Sequence, residues 1–193
     1  MENQLQKRIT EHLQWCASGG QRGKQLVEQD AQFNGIELAG LNLSECALPG
    51  ANFSAATLRA TDLYGANLAD ASFHEADLSN GILSRAICDY ASFRGANLTN
   101  AKLIKTSLEE ADFSGANLSG ADLSGAYLKH ASLRRAQLDD VRMDGALIDG
   151  IEVTKDELGK VRACSLAPKS WAWIVDGVAR TRYEDAELLR LFS

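Results

Sequence analysis

The chain repeats every five residues. Bulky apolar side chains stand at Phe33, Leu38, Leu43, Leu48, Phe53, Leu58, Leu63, Leu68, Phe73, Leu78 and Leu83. A small residue, Cys88, takes the next slot. The series then resumes at Phe93 and runs through Leu98, Phe113, Leu133 and Met143 to Ile148 and Val153. Two positions ahead of each bulky residue stands a small one, usually Ala, as at Ala51, Ala56, Ala66 and Ala71. Ile36, Leu41, Cys46, Thr61, Gly81, Thr106, Val141 and Ile151 depart from Ala there. The other three slots are rich in Asn, Asp, Ser, Gly, Arg and Lys. A helix would repeat at 3.6 and a strand at 2, so neither fits. Two inward and three outward residues per unit describe a chain that turns a corner every five residues. Asn, Asp, Ser and Gly are the residues that make such corners.

A second period sets the size of a coil. Phe33, Phe53, Phe73, Phe93 and Phe113 are 20 residues apart, which is four units. The predicted fold is therefore an all-β solenoid with four walls and about six coils, roughly 30 Å long at strand spacing. Its phenylalanines stack in one internal column. Units such as Ala111-Asp112-Phe113-Ser114-Gly115, Ala116-Asn117-Leu118-Ser119-Gly120 and Ala121-Asp122-Leu123-Ser124-Gly125 resemble the pentapeptide-repeat family. That resemblance covers about two thirds of the chain. It implies a right-handed quadrilateral β-helix and leaves function open, because function lives in sites rather than folds.

The division expected is an N-terminal helical cap over 1–30, the repeat over 31–153 and a C-terminal cap over 154–193. End coils expose unpaired backbone and apolar core, so they need lids. Leu5, Ile9, Leu13 and Cys16 lie on one helical face over residues 4 to 17, and Gly19-Gly20 ends it. Thr154 and Glu157 form a capping box for a short helix. Trp171 to Thr181 reads as a hairpin turning at Asp176-Gly177. A last helix is expected from Thr181, with Glu184 closing its box. Trp171, Trp173 and Val175 have two readings, as packed cap residues or as the seam of a homodimer through the C-terminal segment.

The formal net charge is −6. Between Ala31 and Val153 there are 16 Asp/Glu against 9 Lys/Arg, a net of −7. Such acidity speaks against direct nucleic-acid binding and against an anionic membrane. The start, Met1-Glu-Asn-Gln-Leu-Gln-Lys-Arg, lacks a secretory apolar core, and no run is long enough for a bilayer. The scattered cysteines, Cys16, Cys46, Cys88 and Cys164, point to a reducing cytoplasm and to neither zinc nor disulfides.

No cofactor or catalytic group is expected. His12, His74 and His130 are too far apart to share a metal and read as free surface residues. The glycines at 115, 120 and 125 are corners, lacking the Lys-Ser/Thr and helix of a phosphate loop. An enzyme is accordingly disfavoured. The outward slots carry one apolar exception, on the third and fourth walls: Tyr64, Ile82, Ile87, Tyr90, Ile104 and Tyr127, with Asp70, Asp89, Glu109 and Glu110 beside them. It has two readings, a partner surface or scattered exposed hydrophobes. The leading functional expectation is a non-enzymatic rod that binds an unidentified protein. The alternative, implied by the resemblance, is a bacterial DNA mimic acting on DNA gyrase or topoisomerase IV, as quinolone-protecting family members do. Duplex of equal length carries roughly 18 phosphate charges, and the repeat has no projecting loop; both weigh against the alternative.

Overall fold

The computed structural model describes residues 2–154, 171–176 and 179–184. The described residues hold four regular elements: α1 (Glu2–Ala17), β1 (Ile151–Thr154), β2 (Trp171–Asp176) and β3 (Ala179–Glu184). Between α1 and β1 the backbone is held by isolated parallel bridges, and every one joins residue i to residue i+20. Gln32 pairs with Asn52, Asn52 with Ser72 and Ser72 with Ser92. One coil is thus four five-residue units. We number its walls by their inward residues: wall 1 from Phe33, wall 2 from Leu38, wall 3 from Leu43 and wall 4 from Leu48.

Units inside the stack repeat the same bonds. The Phe53 amide donates to Ser72 O at 2.7 Å, and the Ala55 amide donates to His74 O at 2.8 Å. The Asn52 amide donates back to Ala31 O at 2.8 Å. The corner is closed by the Ala56 amide on Phe53 O at 3.0 Å. The Asn or Asp that precedes the inward residue braces this corner from outside: Asn52 Oδ1 accepts from the Ser54 amide at 3.0 Å, and Asp62 Oδ1 from the Tyr64 amide at 2.9 Å. The repeat's preference for Asn and Asp in that slot is therefore an Asx turn.

Every fifth residue from Asp30 to Gly150 is left-handed, with φ between 53° and 74°. Glycine holds only some of these corners. Arg85, Tyr90, Lys105 and Glu110 hold others, at a cost of about 1–2 kcal/mol each. The closing bonds and the apolar core carry that cost.

Phe33, Phe53, Phe73, Phe93 and Phe113 are buried and stack with centroids 4.8, 5.1, 4.9 and 4.8 Å apart, nearly parallel. Thr61 and Thr106 take the small inward slot by donating their buried hydroxyls to Leu38 O at 2.9 Å and Leu83 O at 2.8 Å.

The ends refine the expected boundaries. The ladder begins at Val27, paired with Ala47, ahead of Ala31. Leu26 is buried in the small slot of that unit, while Glu28 stands where a bulky residue belongs, which hides the unit from the apolar pattern. Arg8 of α1 pairs with Glu28 and donates to Val27 O at 3.0 Å, so the irregular unit is where the lid fastens. At the other end β1 continues the coil, pairing with β2 in parallel, and β2 pairs with β3 antiparallel. The hairpin is present. The helix expected from Thr181 is not: Thr181 and Glu184 lie in β3, opposite Ile174 and Trp171. The ladder opposite β2 outweighs the local capping signal there. Thr154 is the last residue of β1; Glu157 and the helix expected from it lie outside the described residues.

Candidate functional site

The predicted apolar surface resolves into two sets. Ile87 and Tyr127 share a column on wall 4, separated by Ser107, and are 45% and 54% exposed. Val27 heads the same column at 57%. The repeat pattern missed it, because it belongs to the unit with Glu28. Tyr90, 55% exposed, sits at the next corner, stacked above Glu109 through its amide at 2.8 Å. The second set, Tyr64, Ile82 and Ile104, lies on wall 3. Tyr64 is exposed at 39%, whereas Ile82 and Ile104 are half-buried. The corner with Arg85 and Lys105 runs between the sets, and both residues are exposed. The six residues therefore form an apolar stripe on wall 4 and a weaker patch round a basic edge.

The four acids divide as well. Asp89 braces its own wall, its Oδ1 accepting from Ser107 Oγ at 2.6 Å and the Glu109 amide at 2.9 Å. Glu109 pairs with Lys129 at 3.2 Å. Asp70 and Glu110 are exposed at the corner that carries Tyr90. Trp171, Trp173 and Val175 alternate along β2 with Ala172 and Ile174, which are buried against the last coil; the seam residues' side chains lie outside the described ones.

One cluster has the makings of a reactive pair. His12 is fully buried, which corrects its reading as a surface residue. Its Nε2 lies 3.4 Å from Cys16 Sγ, its ring stacks on Trp15 at 5.6 Å, and Cys16 approaches Ser44 at 3.7 Å. Yet His12 Nδ1 accepts the Leu26 amide at 2.9 Å, so the neutral ring carries its proton on Nε2. That nitrogen faces the sulfur as a donor, and the ring cannot take the thiol's proton. Burial lowers the His12 pKa and raises that of Cys16, which keeps both neutral. The pair latches the lid; it does not make a thiolate nucleophile. Among the described residues no three His, Cys, Asp or Glu side chains are grouped to hold a metal, and no helix is long and apolar enough to cross a membrane.

A family model for pentapeptide repeats matches in overlapping segments from residue 29 to residue 150, as eight copies. This chain belongs to the pentapeptide-repeat family. Its members fold as right-handed quadrilateral β-helices. Similar solved structures include the pentapeptide-repeat protein Rfr23 of the cyanobacterium Cyanothece 51142, at 32% identity over 57% of this chain and 85% of that one, TM-score 0.45. HetL of Nostoc sp. strain PCC 7120, a pentapeptide-repeat protein involved in regulating heterocyst differentiation, is 29% identical over 78% and 75%, TM-score 0.36. QnrB1, a plasmid-mediated fluoroquinolone resistance protein, is 16% identical over 65% and 70%, TM-score 0.46. No curated protein matches.

Proposed function

We propose that this pentapeptide-repeat protein is a non-enzymatic binding rod, right-handed in its coil, that presents wall 4 to a protein partner. The observation that carries the reading is the exposed group of Ile87, Tyr90 and Tyr127 on and beside one column of wall 4, with Val27 three coils away on the same column. Apart from Tyr64, Ile82 and Ile104 on wall 3, the other described outward slots are mostly polar or small. Apolar side chains gathered on a rigid polar scaffold are the usual mark of an interaction surface, and tyrosine is favoured in such contacts. Asp70 and Glu110 flank Tyr90 on its corner, so a partner with a basic rim round an apolar centre is the complement. The free thiols Cys16, Cys46 and Cys88 support a reducing compartment, the cytoplasm.

A photo-reactive amino acid at Tyr127 tests this. One discrete crosslinked partner is expected, absent when the probe replaces His74 on wall 1 and lost on Ile87→Asp with Tyr90→Asp. Equal crosslinking from both walls would refute the assignment. The topoisomerase reading draws no support from this surface, where Arg85 and Lys105 interrupt the acids beside the stripe. It predicts inhibition of gyrase supercoiling or protection from a quinolone; no effect at micromolar protein removes it. A homodimer through β2 and β3 belongs to the same proposal and is tested by sedimentation of Trp171→Ala, Trp173→Ala protein against the native chain.

A further inference from the structure

The corner between walls 1 and 2 runs Gly35, Ala55, Glu75, Gly95, Gly115, Arg135, by the same step of 20. Two successive glycines leave it bare. A shallow pocket of about 430 Å³ opens there, lined by Arg94, Ser114, Gly115, Arg134 and Arg135. Arg94 and Arg134 stand two coils apart in the adjoining column, one on either side of Ser114. Asp112 Oδ2 holds Arg94 Nη1 at 2.9 Å, and Glu152 lies 3.7 Å from Arg134 Nη1. Arg135 forms no ion pair among the described residues. Three guanidinium groups thus border one notch against two carboxylates, a positive spot on a repeat whose net charge is −7.

The turn position accepts a side chain at a cost, on this corner at Glu75 and on the others elsewhere. Glu45, Glu75, Arg85 and Glu110 adopt the same left-handed geometry, with φ of 59°, 56°, 61° and 56° against 71° at Gly115. A Cβ built on Gly115 would meet nothing within 4 Å. Glycine spares this corner the strain of a left-handed side chain, and the same missing side chain leaves the notch open. Nor is the backbone free to bind: the Gly115 amide is spent on Arg134 O at 3.0 Å, and the Ser114 amide on Asp112 Oδ1 at 2.9 Å. The Ser114 hydroxyl shares one bond with Ser132 Oγ at 3.1 Å and keeps the capacity for another.

We propose that this pocket binds a phosphate monoester dianion. Guanidinium forks match its oxygens, Ser114 Oγ supplies a further donor, and the notch over Gly115 gives the group room beside the wall. A single carboxylate would only repeat what Asp112 and Glu152 already offer these arginines. Two negative charges on three oxygens add something those side chains lack.

The test is an NMR titration with sodium phosphate against sodium chloride at equal ionic strength, repeated with a short phosphoserine peptide and its unphosphorylated form. Saturable shifts are expected at Ser114, Gly115 and Arg135 and at the three arginine Nε–H groups. Gly115→Glu and, separately, Arg135→Ala should weaken binding by about tenfold or more with an unchanged circular dichroism spectrum. Glutamate already holds this corner at Glu75, and the same left-handed turn position on other corners at Glu45 and Glu110, so Gly115→Glu is expected to fold; Arg135→Ala reads the same site with a residue that the corner already accepts at Ala55. Tighter binding of the phosphopeptide than of phosphate assigns the group to a partner's modified side chain; equal binding assigns it to a small molecule. Linear, unsaturated shifts, or shifts that persist in both variants, would overturn the proposal.

Discussion

Removing one ring from the middle of the phenylalanine column is the most demanding test of the core. Phe73 is fully buried, with Phe53 at 5.1 Å on one side and Phe93 at 4.9 Å on the other. Phe73→Ala deletes the ring and leaves a cavity the neighbours cannot fill, because their height is fixed by the backbone bridges of Ser72 to Asn52 and Ser92. Core Phe→Ala changes cost about 3–5 kcal/mol, and a stacked contact adds roughly 0.5–1.5 kcal/mol beyond burial. Two such contacts are lost here, so a value near the top, about 5 kcal/mol, is expected. Phe73→Leu restores most of the volume, as Leu133 does farther along the same wall, and should cost about 1–2 kcal/mol. Urea unfolding followed by circular dichroism measures both, with a constant slope showing that the same surface is exposed. A solenoid couples only neighbouring coils, so Phe73→Ala should also separate the transition into two steps. A loss below about 1 kcal/mol for Phe73→Ala would refute a packed column.

Other consequences are as direct. Arg85→Gly should raise stability by about 0.5–1 kcal/mol through relief of its left-handed backbone, whereas Arg85→Pro, which also removes the amide bonded to Ile104 O at 3.0 Å, should cost more than about 3 kcal/mol; thermal melts separate the two. Because burial depresses the His12 pKa below its ordinary 6.5, the unfolded chain binds the proton first. The stability this residue contributes is then complete above pH 6.5 and is lost as pH falls through that value towards the folded pKa. Urea midpoints between pH 5 and 8 should show this loss, and His12→Gln should flatten it. Burial pushes the Cys46 thiol up to about 12 and the Cys88 thiol higher still. Neither should react with iodoacetamide in the folded protein, and mass spectrometry should find both alkylated only after unfolding.

The body of the fold was legible because its pattern is redundant. Ala, Leu and Phe recur so regularly that no single exception hides the coil, and the five phenylalanines alone mark its length. Thr61 and Thr106 looked like defects in the small slot, and their inward hydrogen bonds show why they fit. The ends were less legible because each end is a single instance without repetition. Val27 escaped notice because Glu28 breaks the apolar series, and the reason for Glu28 is Arg8, a contact made across the chain. The helix expected from Thr181 rested on local capping chemistry, which pairing with β2 overrides. The surface was half legible: spacing put Ile87 and Tyr127 in one column, but it could not show that Asp89 spends its carboxylate on Ser107. The arginine notch depends on glycines whose lack of a side chain reads in sequence only as a turn.

Oxidation of a cysteine pair at Ser72 and Ser92 tests the 20-residue coil most directly. These residues are partners in one parallel bridge, within the Cα separation a disulfide accepts. The account predicts that Ser72→Cys with Ser92→Cys forms the linked peptide under mild oxidation, while Ser72→Cys with Ile87→Cys, three units apart and on a different wall, does not. Linkage of the second pair, or of neither, would contradict a four-walled coil.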